Sequence, residues 1–63
     1  MCESAAFSLT DDGEKELMEY VANLKVNEDR ITLTNLLGES KTINGRIEEI
    51  KFMEHKVLIR ETK

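Results

Sequence analysis

Apolar and polar side chains alternate along most of this 63-residue chain, and this period of two constrains the fold more than any other feature. Residues 31–36, Ile-Thr-Leu-Thr-Asn-Leu, give the clearest example, since β-branched residues are enriched in strands. Turn residues separate the alternating segments, which lie at residues 4–10, 21–26, 31–36, 41–51 and 57–60. This spacing predicts an all-β fold, most naturally a small five-stranded SH3-like barrel whose closure limits exposed edges.

The segment at residues 14–20 leaves two structures open, a short strand or one helical turn. The residues spaced as on one face of a helix are Leu17, Tyr20, Val21 and Leu24. We favour a strand for residues 21–26. One face of that strand would carry Tyr20, Ala22, Leu24 and Val26.

The Asn44-Gly45 pair is normally a strong hairpin signal. Here a hairpin at that point would leave only residues 41–43 between two turns. We therefore predict that Gly45 is a bulge or kink that bends one long strand across a corner of the barrel.

The phases of the predicted strands define a predicted core. Truncation of its members should destabilise so small a domain strongly. They are Phe7, Leu9, Leu24, Val26, Ile31, Leu33, Ile43, Ile47, Ile50, Val57 and Ile59.

A chain of this length forms one domain, residues 1–63, and domains this small usually need a disulfide, a metal or a partner subunit to be stable. The single cysteine, Cys2, excludes a disulfide framework within the chain. A metal or a homodimer is therefore the expected source of additional stability.

Charge and hydropathy limit the compartment and the partners. The start of the chain has an acidic residue at position 3 and no basic segment of the kind that opens a signal peptide. No apolar run approaches the roughly 20 residues of a membrane span, so we expect a cytoplasmic protein without a membrane partner. The net charge of −4 argues against binding to nucleic acid or to anionic lipid.

Catalytic groups are scarce, and we expect a protein that is not an enzyme. The chain has one histidine, and its three glycines are isolated, so no phosphate-binding loop is present in the sequence. Glu48 and Glu49 are neighbours on a predicted strand and should point to opposite faces, which prevents them from sharing a proton. We interpret them as a solvated edge.

Cys2 admits two interpretations. It could be a small apolar residue before the first strand. It could also bind a metal, because position 2 lies beside the terminal amine. If Met1 is retained, its amine, the Cys2 amide nitrogen and the Cys2 thiolate form two fused chelate rings; if Met1 is removed, the Cys2 amine and thiolate form one. A planar nitrogen and thiolate chelate suits Ni(II) or Cu(II). One chain supplies too few ligands for a closed site, and a two-fold dimer could bring two Cys2 thiolates together to complete it.

Other donors and the aromatic residues are assigned structural roles. His55 lies in a predicted turn and is interpreted as an exposed residue, distant from Cys2. Met18 and Met53 are interpreted as packing residues. Core packing is likewise the interpretation for the three aromatic residues. These are Phe7, Tyr20 and Phe52.

An ordered set of short motifs runs along the chain. Its members are the Met1-Cys2 start, Asp12-Gly13 at the close of the first strand, Val21 at the opening of the next, Leu36-Leu37-Gly38-Glu39, Gly45-Arg46-Ile47 with Ile50, and the ending His55-Lys56-Val57. With cysteine at position 2, this set resembles the CooT family of small nickel-binding proteins over essentially the whole chain.

The resemblance implies an SH3-like barrel, a homodimer and Ni(II) bound through Cys2 at the dimer interface, with the Met1 backbone as a neighbouring ligand. It also implies a nickel chaperone or store, with carbon monoxide dehydrogenase as a client enzyme. The alternative function is a β-barrel module that binds RNA or protein without a metal.

Overall fold

The computed structural model describes residues 4–62 and is built almost entirely of β-strands. The strands are β1 (Ala5–Thr10), β2 (Gly13–Met18), β3 (Val21–Asn27), β4 (Arg30–Asn35), β5 (Ser40–Lys51) and β6 (Lys56–Glu61), with a short 3-10 helix at Phe52–Glu54. The all-β prediction is confirmed, with six strands instead of five. The additional strand is β2, the segment for which the sequence left strand and helix open. No helix in residues 4–62 is long and apolar enough to cross a membrane.

The strands form one sheet in the order β2-β1-β6-β5-β4-β3, and β1 pairs with β6 in parallel. This order leaves β2 and β3 as edges, so the sheet is not closed into the predicted barrel. Two further hydrogen bonds lie outside the ladders of this sheet. The Val21 amide donates to the Ser4 carbonyl at 2.8 Å, and the Leu17 carbonyl accepts a bond from Lys41 Nζ at 3.1 Å.

Strand β5 passes from one half of the sheet to the other at Gly45. Up to Asn44 it pairs with β4, and from Gly45 onward it pairs with β6. Gly45 is buried, and a Cβ atom there would lie 2.6 Å from the carbonyl oxygen of Arg60. The prediction that one long strand runs through Gly45 is confirmed, and only a residue without a side chain allows the two backbones to approach so closely. The irregularity of β5 lies between Ile47 and Glu49, not at Gly45.

The predicted core is confirmed in its centre and wrong at two positions. Ile31, Leu33 and Ile59 are fully buried. Val26 and Ile50 are 52% and 43% exposed, so they do not belong to the core. The predicted core residues that are half-buried and pack against this centre are Leu24, Ile43, Ile47 and Val57. Phe7 and Leu9 are half-buried on the other face of β1 from the buried Ala6 and Ser8.

A register shift in β3 between Val21 and Asn23 explains the helical spacing in the sequence. Because a bulge changes the face on which later residues point, Val21 and Leu24 both pack against the core. Tyr20 lies in the preceding turn with φ of 53° and is 47% exposed. The predicted face is therefore wrong for Tyr20, which lies outside the strand, whereas Leu24 and Val26 share a face because the register between them is regular.

In β1 the phase differs from the expected one. Ala6 and Ser8 are buried, whereas Phe7 on the other face is half-buried. Lys56 Nζ lies 5.1 Å from the centroid of the Phe7 ring and 3.1 Å from a carboxylate oxygen of Glu14. The Phe7 face thus lies beneath a lysine side chain, and the small residues Ala6 and Ser8 face the core.

Candidate functional site

The two predicted metal ligands, Cys2 and Met1, lie outside the described residues, which begin at Ser4. Within residues 4–62, no group of three or more histidine, cysteine, aspartate or glutamate side chains is arranged to hold a metal ion. The surroundings of Ser4 and Ala5, which follow the chain start directly, are therefore the part of the candidate site that can be described.

The peptide group between Ser4 and Ala5 is held from both sides. Its carbonyl oxygen accepts a hydrogen bond from the Val21 amide at 2.8 Å, and its N–H donates to the carbonyl oxygen of His55 at 2.9 Å. These bonds join the first described residues to the start of β3 on one side and to the turn before β6 on the other. The point from which the chain start extends is thus fixed relative to both segments.

His55 lies next to this peptide group, because its carbonyl oxygen accepts the hydrogen bond from the Ala5 amide. The predicted distance between His55 and Cys2 stays a prediction, since Cys2 lies outside the described residues. It follows the 3-10 helix in the left-handed conformation, with φ of 55° and ψ of 44°. Histidine is one of the residues that tolerate this conformation better than most. The expectation of an exposed turn residue is confirmed, because the side chain is exposed in the turn between Glu54 and Lys56.

An exposed apolar patch adjoins the same point. It consists of Tyr20, Leu36 and Leu37, which are 47%, 68% and 84% exposed, and we call it the chain-start patch. The Leu36 amide donates to the Tyr20 carbonyl at 3.0 Å, so the two loops that form the patch are joined directly. Tyr20 precedes Val21, the partner of Ser4, and this places the patch near Ser4.

Asn35 fixes the loop that presents the two leucines. Its Oδ1 accepts hydrogen bonds from the amides of Leu37 and Glu39, each at 2.9 Å. Its Nδ2 donates to a carboxylate oxygen of Glu39, also at 2.9 Å. Leu36 and Leu37 are therefore held on the surface by a braced turn. The sequence interpretation assigned this turn no role, although two adjacent leucines in a turn are the signal that could have revealed it.

The other residues singled out in the sequence are exposed, with the exception of Met18. Glu48 forms an ion pair with Arg60 at 3.3 Å, and both glutamates of the Glu48–Glu49 pair are exposed. Met18 packs against the core as predicted, but Met53 is 94% exposed. Phe52 is 80% exposed, so the interpretation of the aromatic residues as core is wrong for it and for Tyr20.

Comparison with known proteins identifies the class of the chain. Residues 1–60 match the family described as CO dehydrogenase accessory protein CooT. The fold is similar to the crystal structure of a candidate CooT from Carboxydothermus hydrogenoformans, with a TM-score of 0.88 and 29% identity over 98% of this chain and 100% of that one. No curated protein sequence matches it significantly. The class is thus a small all-β accessory protein.

Because the family match spans nearly the whole length, the chain belongs to the CooT family. The resemblance drawn from the ordered sequence motifs is confirmed.

Proposed function

We propose that this chain binds Ni(II) as cargo and carries or stores it for carbon monoxide dehydrogenase. The thiolate of Cys2 is the essential ligand, and the backbone of Met1 supplies nitrogen ligands beside it. The observation that carries the proposal is the family match, which begins at residue 1 and so includes both residues. A protein of this kind acts as a carrier in the cytoplasm and does not catalyse a reaction.

The chemistry of the chain start fits nickel. A terminal amine, an amide nitrogen and a thiolate in consecutive residues form fused chelate rings, and such planar nitrogen and sulfur sets suit a square-planar d⁸ ion. Zinc prefers tetrahedral sites built from four side-chain ligands. Residues 4–62 hold no cluster of that kind.

A homodimer fits both the size of the chain and its surface. Domains of this size are rarely stable alone, and a two-fold contact uses the same patch on both copies. The chain-start patch is apolar, exposed and adjacent to Ser4. Two copies that pack through Tyr20, Leu36 and Leu37 would bring the two Cys2 residues towards each other at the interface.

The proposal is tested by nickel titration of the untagged protein beside a Cys2→Ser variant. Binding should produce a thiolate-to-metal charge-transfer absorption band in the parent protein. The variant should lose the band and the bound nickel while it keeps the same circular dichroism spectrum. Undiminished nickel binding by the folded variant would refute the proposal.

A gel shift with mixed RNA at several salt concentrations tests the alternative function on the same samples. We expect no shift, because the net charge of −4 opposes binding to phosphates.

A further inference from the structure

We propose that the 3-10 helix packs against a second copy of this chain, so that the homodimer contact extends from the chain-start patch to Phe52 and Met53. These two residues are 80% and 94% exposed, and we call them the helix patch. The inference rests on the homodimer of the proposed function and adds a second part to its interface.

The two patches lie on either side of one peptide group. The Val21 amide donates to the Ser4 carbonyl at 2.8 Å, and the Ala5 amide donates to the His55 carbonyl at 2.9 Å. Tyr20 of the chain-start patch directly precedes Val21. The turn at His55 and the turn before Val21 therefore flank the start of β1 as neighbouring strands would, separated by two strand spacings, or about 10 Å.

The helix patch is held in place by the strands that it connects. Lys51 before the helix pairs with Lys56 after it, in the ladder between β5 and β6. The His55 amide donates to the Phe52 carbonyl at 3.2 Å, which closes the helix. The helix patch is thus the connection between two paired strands, at the end of the sheet where β1 begins.

Exposed apolar side chains are concentrated at this end of the molecule. Among residues 4–62, the exposed large hydrophobic residues are Tyr20, Val26, Leu36, Leu37, Ile50, Phe52 and Met53. Five of these seven form the two patches, and Ile50 lies two residues before the helix patch. Val26 is near the other end of β3 from Val21. Monomeric soluble proteins rarely expose large contiguous apolar surfaces, so this concentration indicates an interaction surface.

The chain-start patch alone is too small for a stable dimer. Obligate homodimers bury at least about 1000 Å² per copy, of which roughly 65% is apolar. Even if each side chain had the area of a large aromatic one, about 250 Å², the exposed fractions of its three residues would supply about 500 Å². On the same basis the helix patch adds about 400 Å², which brings the apolar surface above the requirement.

The charges beside the helix patch favour a second copy as the partner. Lys56 Nζ lies 3.1 Å from a carboxylate oxygen of Glu14 and 3.8 Å from one of Glu54. Because these charges are paired within the chain, a two-fold contact would not bring them together as unpaired like charges. A partner that binds through charge would meet both signs at this point.

Sedimentation equilibrium of the untagged full-length protein, at several concentrations, tests the inference through the dissociation constant of the dimer. Met53→Asp places a charge in the helix patch and should raise this constant roughly tenfold or more. Met53→Leu keeps an apolar side chain of similar volume and should dimerise like the parent protein. Val26→Asp, outside both patches, should change the constant by less than about twofold.

Methionine oxidation gives a second measurement that needs no substitution in the helix. Hydrogen peroxide should convert Met53 to the sulfoxide about tenfold more slowly in the parent dimer than in Leu37→Asp, which separates the two copies and leaves the helix unchanged. Met18 packs against the core and should react slowly in both proteins. Mass spectrometry of tryptic peptides separates the two methionines, because lysine residues lie between them.

The outcomes separate this inference from the proposed function. If Leu37→Asp is a monomer while Met53→Asp dimerises like the parent, or if Met53 is oxidised equally fast in the dimer and the monomer, the contact excludes the helix patch and this inference alone fails. If the parent protein sediments as a monomer, the homodimer of the proposed function fails as well. Nickel binding that survives in Cys2→Ser would overturn the proposed ligand and leave the contact between copies in place.

Discussion

The amide of Ala5 donates to the carbonyl of His55 across 2.9 Å, which joins the start of β1 to the last turn of the chain. The two meet because β1 and β6 run in the same direction, so both strands begin at the same end of the sheet. An antiparallel pair would have put the start of β1 beside the end of β6 instead. The parallel pairing is therefore the feature of the fold that brings His55 to the first residues of β1.

Truncation of Leu33 tests the observed core. Its side chain is fully buried, so Leu33→Ala should lower the free energy of unfolding by about 2–5 kcal/mol, since it removes apolar contacts and leaves a cavity. Urea denaturation followed by circular dichroism, at one fixed protein concentration, measures the change. Val26→Ala, at a position that is 52% exposed, should cost less than about 1 kcal/mol. Equal losses in the two variants would show that the strand phases differ from those described.

Substitution of Gly45 tests the point at which β5 changes from pairing with β4 to pairing with β6. Gly45→Ala would place a methyl group 2.6 Å from the backbone oxygen of Arg60, and a backbone atom cannot move aside as a flexible side chain can. We expect a loss of about 1–3 kcal/mol in the free energy of unfolding, typical of overpacking. Asn44→Ala changes the exposed neighbour and should stay within about 0.5 kcal/mol of the parent protein. A Gly45→Ala protein as stable as the parent would mean that β5 and β6 do not approach so closely.

The sequence predicted the strands well, because alternation and turn residues are local signals. It also predicted that one long strand, and not a hairpin, runs through Gly45. It did not predict that Val21 and Leu24 both pack against the core. The bulge after Val21 and the turn at Tyr20 together give Leu17, Val21 and Leu24 a helical spacing. A period analysis cannot separate a bulged strand from a helix over so few residues.

The surroundings of the chain start were beyond the reach of local patterns. The proximity of Ala5 to His55 depends on a parallel pairing between the first and last strands, and nothing near either residue encodes that pairing. Barrel closure was overestimated for a similar reason. Closure would require β2 and β3 to pair with each other across the chain, and the sheet order leaves both strands as edges.

A charged substitution at Leu37 tests the proposed dimer interface. It is 84% exposed in the chain-start patch, so Leu37→Asp should leave the fold intact while it places a charge in the contact between copies. Sedimentation equilibrium at micromolar concentration should show a dimer for the parent protein and a monomer for this variant. Val26→Asp places the same charge at an exposed apolar residue outside the patch and should remain a dimer. A dimer that persists in Leu37→Asp would move the interface to another surface.

The position of the terminal amine gives the last prediction. If that amine is a nickel ligand beside the Cys2 thiolate, adding two residues, Gly-Ser, before Met1 should weaken nickel binding, because the new amine lies three residues before Cys2 and no longer closes a five-membered ring with the Cys2 amide nitrogen. The same two residues added after Lys63 should have no effect. Both proteins carry the same extra atoms, so a difference in nickel affinity by isothermal titration isolates the amine. The thiolate remains in both, and some binding should therefore survive in the extended protein, whereas Cys2→Ser should lose it. Equal affinities for the two extended proteins would remove Met1 from the ligand set and leave Cys2 as the ligand at the chain start.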